Sequence, residues 1–354
     1  MSAPSFTVVS LRGPLSGLDD GTDAAQGDAD DGGHHTAVRS VGPLTLVEID
    51  PAAGADDIVV GIAGAQIVTP WILVVGPAQH ELAAEVVDRV LAGALGVFGL
   101  AGVVGETDAA SETLRHQEVP VAAVPVGAAA GAPDIAAAVR GLAADIAAWS
   151  PRLPDAWARV IASDRTDVAV RSTFARRALA DDPSYAPRAL STAQLSLLRD
   201  VARRIIPQGE GAGIDLAARL DRMVAAGESD GWRPTGMSTD VEAYRTGLDA
   251  LAGVWMRSAA GQDRVIRDVI DQRAPSGDVL TPGQLALWFE DARNDLARVW
   301  LSHPASLARV GYSGFATGGT GAEPAGYLVL AAGEREEWEP DELGRLAAAE
   351  GHTS

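Results

Sequence analysis

The chain has 354 residues, 47% hydrophobic and 21% charged, with 28 basic against 48 acidic side chains and a formal net charge of −20. It contains no Lys and no Cys, which excludes disulfides, thiolate nucleophiles, zinc ribbons, iron–sulfur clusters, Schiff-base lysines and the usual phosphate-binding P-loop. The negative balance argues against nucleic acid, whose phosphates need a basic face, and against an anionic membrane surface.

Residues 1–15 carry one Arg, no long apolar run and no twin-arginine pair, so they do not read as a secretory signal. The expected location is therefore cytoplasmic. Residues 1–43 read as an acidic, Gly/Asp-rich disordered tail with little to bury. Within it His34 and His35 stand near Asp28, Asp30 and Asp31. A calcium loop starting at Asp28 fails, because Gly32 comes one place early and Arg39 stands where Glu is required.

From Leu44 the texture changes. The runs LTLVEI (44–49), IVVGIA (58–63), WILVVG (71–76) and VPVAAVPV (119–126) read as strands. An amphipathic helix is expected over 78–95, with Leu82, Val86, Val90 and Leu91 on one face, and another over 134–149 after Pro133. The most apolar stretch, 90–105, is shorter than the ~20 residues a membrane span needs. Its glycines at 93, 96, 99, 102 and 105 read as close packing against a neighbouring element. Residues 44–150 are thus expected to form an α/β domain of unknown role. The glycine spacing is G-x-x-G, not the G-x-G-x-x-G of a dinucleotide site.

A helical linker is expected over 151–190, then a helical domain over 191–310. Three capping boxes mark helix starts: Ser191 with Gln194, Thr239 with Glu242, and Thr281 with Gln284, the last with Pro282 at the first helical position. Apolar stripes follow each box: Leu195, Leu198, Ala202 and Ile205; then Val241, Tyr244, Leu248, Leu251 and Trp255; then Leu285, Trp288, Ala292, Leu296 and Val299. Shorter helices over 215–226 and 263–271 bring the count to five. Residues 311–354 read as an extended Gly/aromatic tail that either folds back on its own domain or lies on another protein. The fold class is α+β: a small N-terminal α/β domain, an all-α orthogonal five-helix domain and the extended tail. Charge divides unevenly along it, at −14 over 1–150 and −6 over the rest.

No catalytic constellation assembles. GYSGF (311–315) lacks the second Gly of a nucleophile elbow, and His80–Glu81 has no second His for a metalloprotease motif. His303, in WLSHPAS, reads as a helix-end residue that caps the last carbonyls rather than a catalyst.

The series LSTAQLSLLRDVARRIIP (190–207), GIDLAARLDRMV (213–224), YRTGLDAL (244–251), WFEDARNDLARVWLSHPASLARVGYSG (288–314) and GEREEWEP (333–340) resembles the small third subunit of gluconate 2-dehydrogenase and its relatives. Ile205, Ile206 and Pro207 match the first-helix motif; Trp288, Phe289, Trp300, Gly311, Tyr312 and Gly314 match the last helix and turn. The resemblance implies a subunit with no catalytic, cofactor-binding or metal-binding residues of its own. Its partner would be a large flavoprotein of the glucose–methanol–choline oxidoreductase type, which holds FAD, oxidises a sugar, glycoside or other alcohol, and is assisted in assembly. The expected partner interface comprises Trp300, Tyr312, Gly314, Phe315, Tyr327 and Trp338. Unlike many members of that family, the chain shows no export signal, and residues 44–150 precede the matching part. The alternatives are a free-standing nucleotide-dependent enzyme with its site in the N-terminal α/β domain, and a scaffold or regulatory protein.

Overall fold

The computed structural model describes residues 6–11, 27–28, 37–41, 44–48, 54–67, 70–76, 79–105, 114, 117–124, 132–209, 213–228, 239–275, 280–318 and 326–340. The fold is α+β with a helical C-terminal region. Among these residues the chain divides into two units, one over 6–180 with 303–340 and the other over 181–302.

The first unit is built on a seven-stranded sheet: β1 (Phe6–Ser10), β2 (Gly27–Asp28), β3 (Ala37–Val41), β4 (Leu44–Glu48), β5 (Trp71–Val75), β6 (Leu100–Gly105) and β7 (Val121–Ala123). Across the sheet they run β2-β3-β4-β1-β5-β6-β7. Strands β4, β1, β5, β6 and β7 are parallel, while β2 and β3 are antiparallel additions at one edge. The five parallel strands therefore lie in the doubly wound order second, first, third, fourth, fifth. Val9, Trp71, Leu73, Val75 and Val103 face α1 (Ala55–Gly64), α2 (His80–Leu91), α4 (Asp155–Ala162) and α5 (Val168–Arg177). Val8, Ile72, Val74 and Val104 face α3 (Ala132–Trp149). Helices on both faces explain why β5 and β6 are apolar along their whole length rather than alternating.

Residues 6–10 are no part of a disordered tail: β1 pairs with both β4 and β5, and Val8 and Val9 are fully buried. A five-residue strand covered on both faces leaves no periodic signal and flanks residues that hide it. His34, His35, Asp30 and Asp31 lie outside the described residues. The run 58–63 is helical, not a strand; Ile58 and Ile62, one turn apart, are buried and Asp56–Asp57 occupy the first turn. The stretch 90–105 holds the end of α2 and the strand β6. Its glycines do serve close packing: a Cβ on Gly102 would sit 2.9 Å from both Leu142 Cδ2 and the Pro120 carbonyl. Residues 155–177 are not a linker, since Trp157, Ile161 and Phe174 belong to the first unit's core. Arg171, 7% exposed, ties this region together. It donates to the carbonyls of Gly93 (2.9 Å), Ser163 (3.1 Å) and Thr166.

The second unit packs five helices, α6 (Thr192–Ile205), α7 (Leu216–Ala226), α8 (Asp240–Ala252), α9 (Ala259–Ile270) and α10 (Pro282–Leu301). The capping boxes at Ser191 and Thr281 form with both reciprocal bonds, whereas the Thr239 side chain makes no capping bond. Gly227 stops α7 in the left-handed conformation. At the α8–α10 crossing, Tyr244 meets Trp288 edge-to-face at 6.0 Å, and a Cβ on Gly247 would fall 2.1 Å from the Trp288 ring. Two buried carboxylates hold the entry segment 181–190. Asp181 pairs with Arg219 at 2.7 Å and Arg222 at 3.5 Å, and burial still pushes its carboxyl above the usual range against their attraction. Asp221, fully buried, accepts from the Tyr185 hydroxyl and from the backbone N–H groups of Arg188, Ala189 and Leu190.

Candidate functional site

The C-terminal segment of the first unit begins at His303, which is 1% exposed. Its Nδ1 accepts from the Ala305 N–H at 3.1 Å and caps α11 (Pro304–Val310) at its start. The expected cap on the preceding helix's carbonyls is replaced by this one, because Pro304 opens a new helix and leaves N–H groups to satisfy. Gly311, with φ near +70°, ends α11, and Tyr312 N–H returns to the Leu307 carbonyl at 3.0 Å. Gly314 leaves room for its neighbour: a Cβ there would lie 2.6 Å from the tip of the half-exposed Tyr312 ring, which would have to swing aside.

Beyond this turn the chain docks. Phe315 stands edge-on to Phe174 at 5.0 Å and 6.3 Å from Trp157, so it joins the sheet unit's core. Gly318 N–H donates to the Arg165 carbonyl at 2.8 Å. The Trp338 ring lies 5.4 Å from Tyr327 and 4.5 Å below the Arg165 guanidinium. Tyr327 donates to the Ser313 carbonyl at 2.6 Å, and the Ser313 hydroxyl donates to Glu339. Burial holds the Tyr327 phenol above its usual range. Glu339 also accepts the Glu336 N–H at 2.8 Å. The Glu336 carboxylate accepts the N–H groups of Leu328 and of Val329 (2.9 Å), which hold it below the usual carboxylate range. The two motifs GYSG and EREEWEP, about twenty residues apart, therefore interlock in one ordered element.

Of the six residues expected at a partner interface, five meet in this element. Phe315, Tyr327 and Trp338 point inward as its anchors, Gly314 makes room for Tyr312, and Tyr312 is 55% exposed. Trp300 belongs to the helical unit and packs, partly buried, against that unit's core. The most exposed apolar side chains of the segment are Leu328 at 84% and Leu330 at 85%. Glu336, Glu339 and Ser313 lie in the motifs that carry the resemblance and Arg165 in the expected linker, but none was expected as a site residue. The Glu336/Glu339 spacing beside a Gly-rich turn was the signal available.

At the carboxyl ends of the parallel strands, the neighbours β1 and β5 mark the point where the strand order reverses. Gln79, just before α2, spans this point: its side-chain N–H donates to the Leu11 carbonyl at 2.6 Å, and its oxygen accepts Gly76 N–H at 3.0 Å. Among the described residues no group of three His, Asp or Glu side chains is placed to hold a metal, and no helix is long and apolar enough to cross a membrane. No protein-family model matches the chain, and no curated protein matches it.

Proposed function

We propose that the chain is a partner-binding accessory subunit of an FAD-dependent oxidoreductase complex of the glucose–methanol–choline type. The partner flavoprotein carries FAD and oxidises a sugar, glycoside or other alcohol; this chain adds surface and assists its assembly, in the cytoplasm. The observation that carries the reading is the C-terminal element. It is cross-tied by Glu336, Glu339, Tyr327 and Trp338, yet leaves Leu328 and Leu330 in water. An ordered segment with outward apolar side chains suits protein recognition, where ordering cost has been met before binding. The test is co-expression of the tagged chain with the products of adjacent reading frames. A yellow complex that releases FAD on denaturation is expected. A chain that elutes alone and colourless refutes the reading.

A second reading, a nucleotide-dependent enzyme, is favoured by the strand order of the sheet, since ligands of doubly wound sheets bind where the order reverses. Calorimetric titration of the full chain with NAD, FAD and ATP tests it. Heat of binding with any of them supports this reading; silence with all three removes it.

A further inference from the structure

We propose that Leu328 and Leu330 form a docking ridge for an apolar groove rimmed by Arg or Lys on a different protein. This rests on the accessory-subunit reading and names the part of the chain that meets the partner. Residues 327–330 pass through a bend at Leu328 and alternate in exposure: Tyr327 and Val329 are partly buried, while Leu328 and Leu330 are exposed. The alternation is locked. Glu336 takes the N–H groups of both Leu328 and Val329, Gly333 turns the chain back with φ near +81°, and Tyr327 is anchored on Ser313 and Trp338. With its backbone tied at these points the segment cannot rotate to bury the leucines, so the ridge is presented already ordered.

Charge selects the occupant. In the segment that follows the ridge Glu334 and Glu337 are exposed, with the exposed Arg335 between them donating to the Pro340 carbonyl at 3.0 Å, and the chain as a whole carries −20. A second copy or an anionic lipid surface brings more negative charge to this rim and is repelled. An apolar groove flanked by guanidinium or ammonium groups complements both the leucines and the carboxylates.

The test places a photo-crosslinking benzoylphenylalanine at position 328 of the full chain, co-expressed with the products of adjacent reading frames. The crosslinked peptide is mapped, and affinity is then measured on the purified pair. A single foreign protein is expected, joined at an apolar peptide flanked by Arg or Lys. Leu330→Asp is expected to weaken the pair at least tenfold, and Glu334→Arg with Glu337→Arg to weaken it and flatten its salt dependence. Both variants keep the parent's urea midpoint, because the altered side chains are exposed. A crosslink to residues 341–354 of the same chain, to a second copy, to a peptide without basic residues, or no crosslink overturns the proposal, as does an affinity unmoved by Leu330→Asp. The two readings fail separately. A flavin-free partner at Leu328 sinks the oxidoreductase role and leaves the ridge. A yellow complex indifferent to Leu330→Asp does the reverse.

Discussion

Replacing Asp221 by Asn exchanges one carboxylate oxygen for an NH2 group and is expected to cost about 3 kcal/mol. The side chain is fully buried, and its two oxygens receive four donors. One oxygen takes Ala189 N–H at 3.1 Å and Leu190 N–H at 2.8 Å; the other takes the Tyr185 hydroxyl and Arg188 N–H, each at 2.6 Å. An amide must aim its NH2 at one of these pairs. The better orientation faces Tyr185, whose hydroxyl can turn and accept, but it leaves Arg188 N–H pointing at a donor. An orphaned buried N–H costs about 1–3 kcal/mol, and the two remaining bonds each lose roughly 0.5–1 kcal/mol of charge assistance. For a unit of this size about 3 kcal/mol corresponds to a melting drop of roughly 10 °C. Scanning calorimetry reads that shift, and hydrogen exchange of Arg188, Ala189 and Leu190 reads it locally. Tyr185→Phe is expected to cost less in the Asp221→Asn variant than in the parent, because its bond to a charge has already gone. Unchanged exchange at those three amides, with a melting shift under about 2 °C, refutes the claim that the carboxylate holds this segment.

Gly247→Ala drives a Cβ to within 2.1 Å of the Trp288 ring and should destabilise the helical unit by about 2–3 kcal/mol, with a changed tryptophan near-ultraviolet signal; Trp288→Phe in the same chain relieves part of it. Arg171→Met leaves the Gly93, Ser163 and Thr166 carbonyls without their buried donor. A loss of about 3 kcal/mol in the sheet unit is expected by urea titration. Burial, with Asp221 beside Tyr185 and Asp295 beside Tyr244, holds both phenols above their usual range. The folded chain therefore keeps these protons better than the unfolded one, and the stability they contribute is present below about pH 10 and falls as pH rises beyond it. Urea midpoints measured across that range should decline, and Tyr185→Phe and Tyr244→Phe should each flatten the slope.

The helical unit was largely legible in the sequence because its signals are local. Ser191 with Gln194 and Thr281 with Gln284 satisfy their own helix starts, and stripes such as Leu285, Trp288, Ala292, Leu296 and Val299 follow the helix period onto one buried face. Strands β4, β5 and β7 were visible for the same reason, as short apolar runs between turn residues. The run 58–63 was ambiguous, since a short apolar stretch fits a strand and a buried helix face equally.

Tertiary structure alone decided the rest. Strand β1 gains its place only by pairing in parallel with β4 and β5, partners distant in sequence that no local pattern names. The aromatic tail, expected to fold back on the helical domain or to lie on another protein, packs instead on the sheet unit. Its anchors, Phe174, Trp157 and Arg165, come from a stretch that sequence reading treated as a linker. The inward turn of Phe315, Tyr327 and Trp338, and the outward turn of Leu328 and Leu330, follow from where Glu336 and Glu339 find their donors. Composition fixed early that this chain carries no thiol or lysine chemistry. Which apolar side chains its C-terminal segment leaves in water depends on hydrogen bonds between segments that only the folded chain brings together.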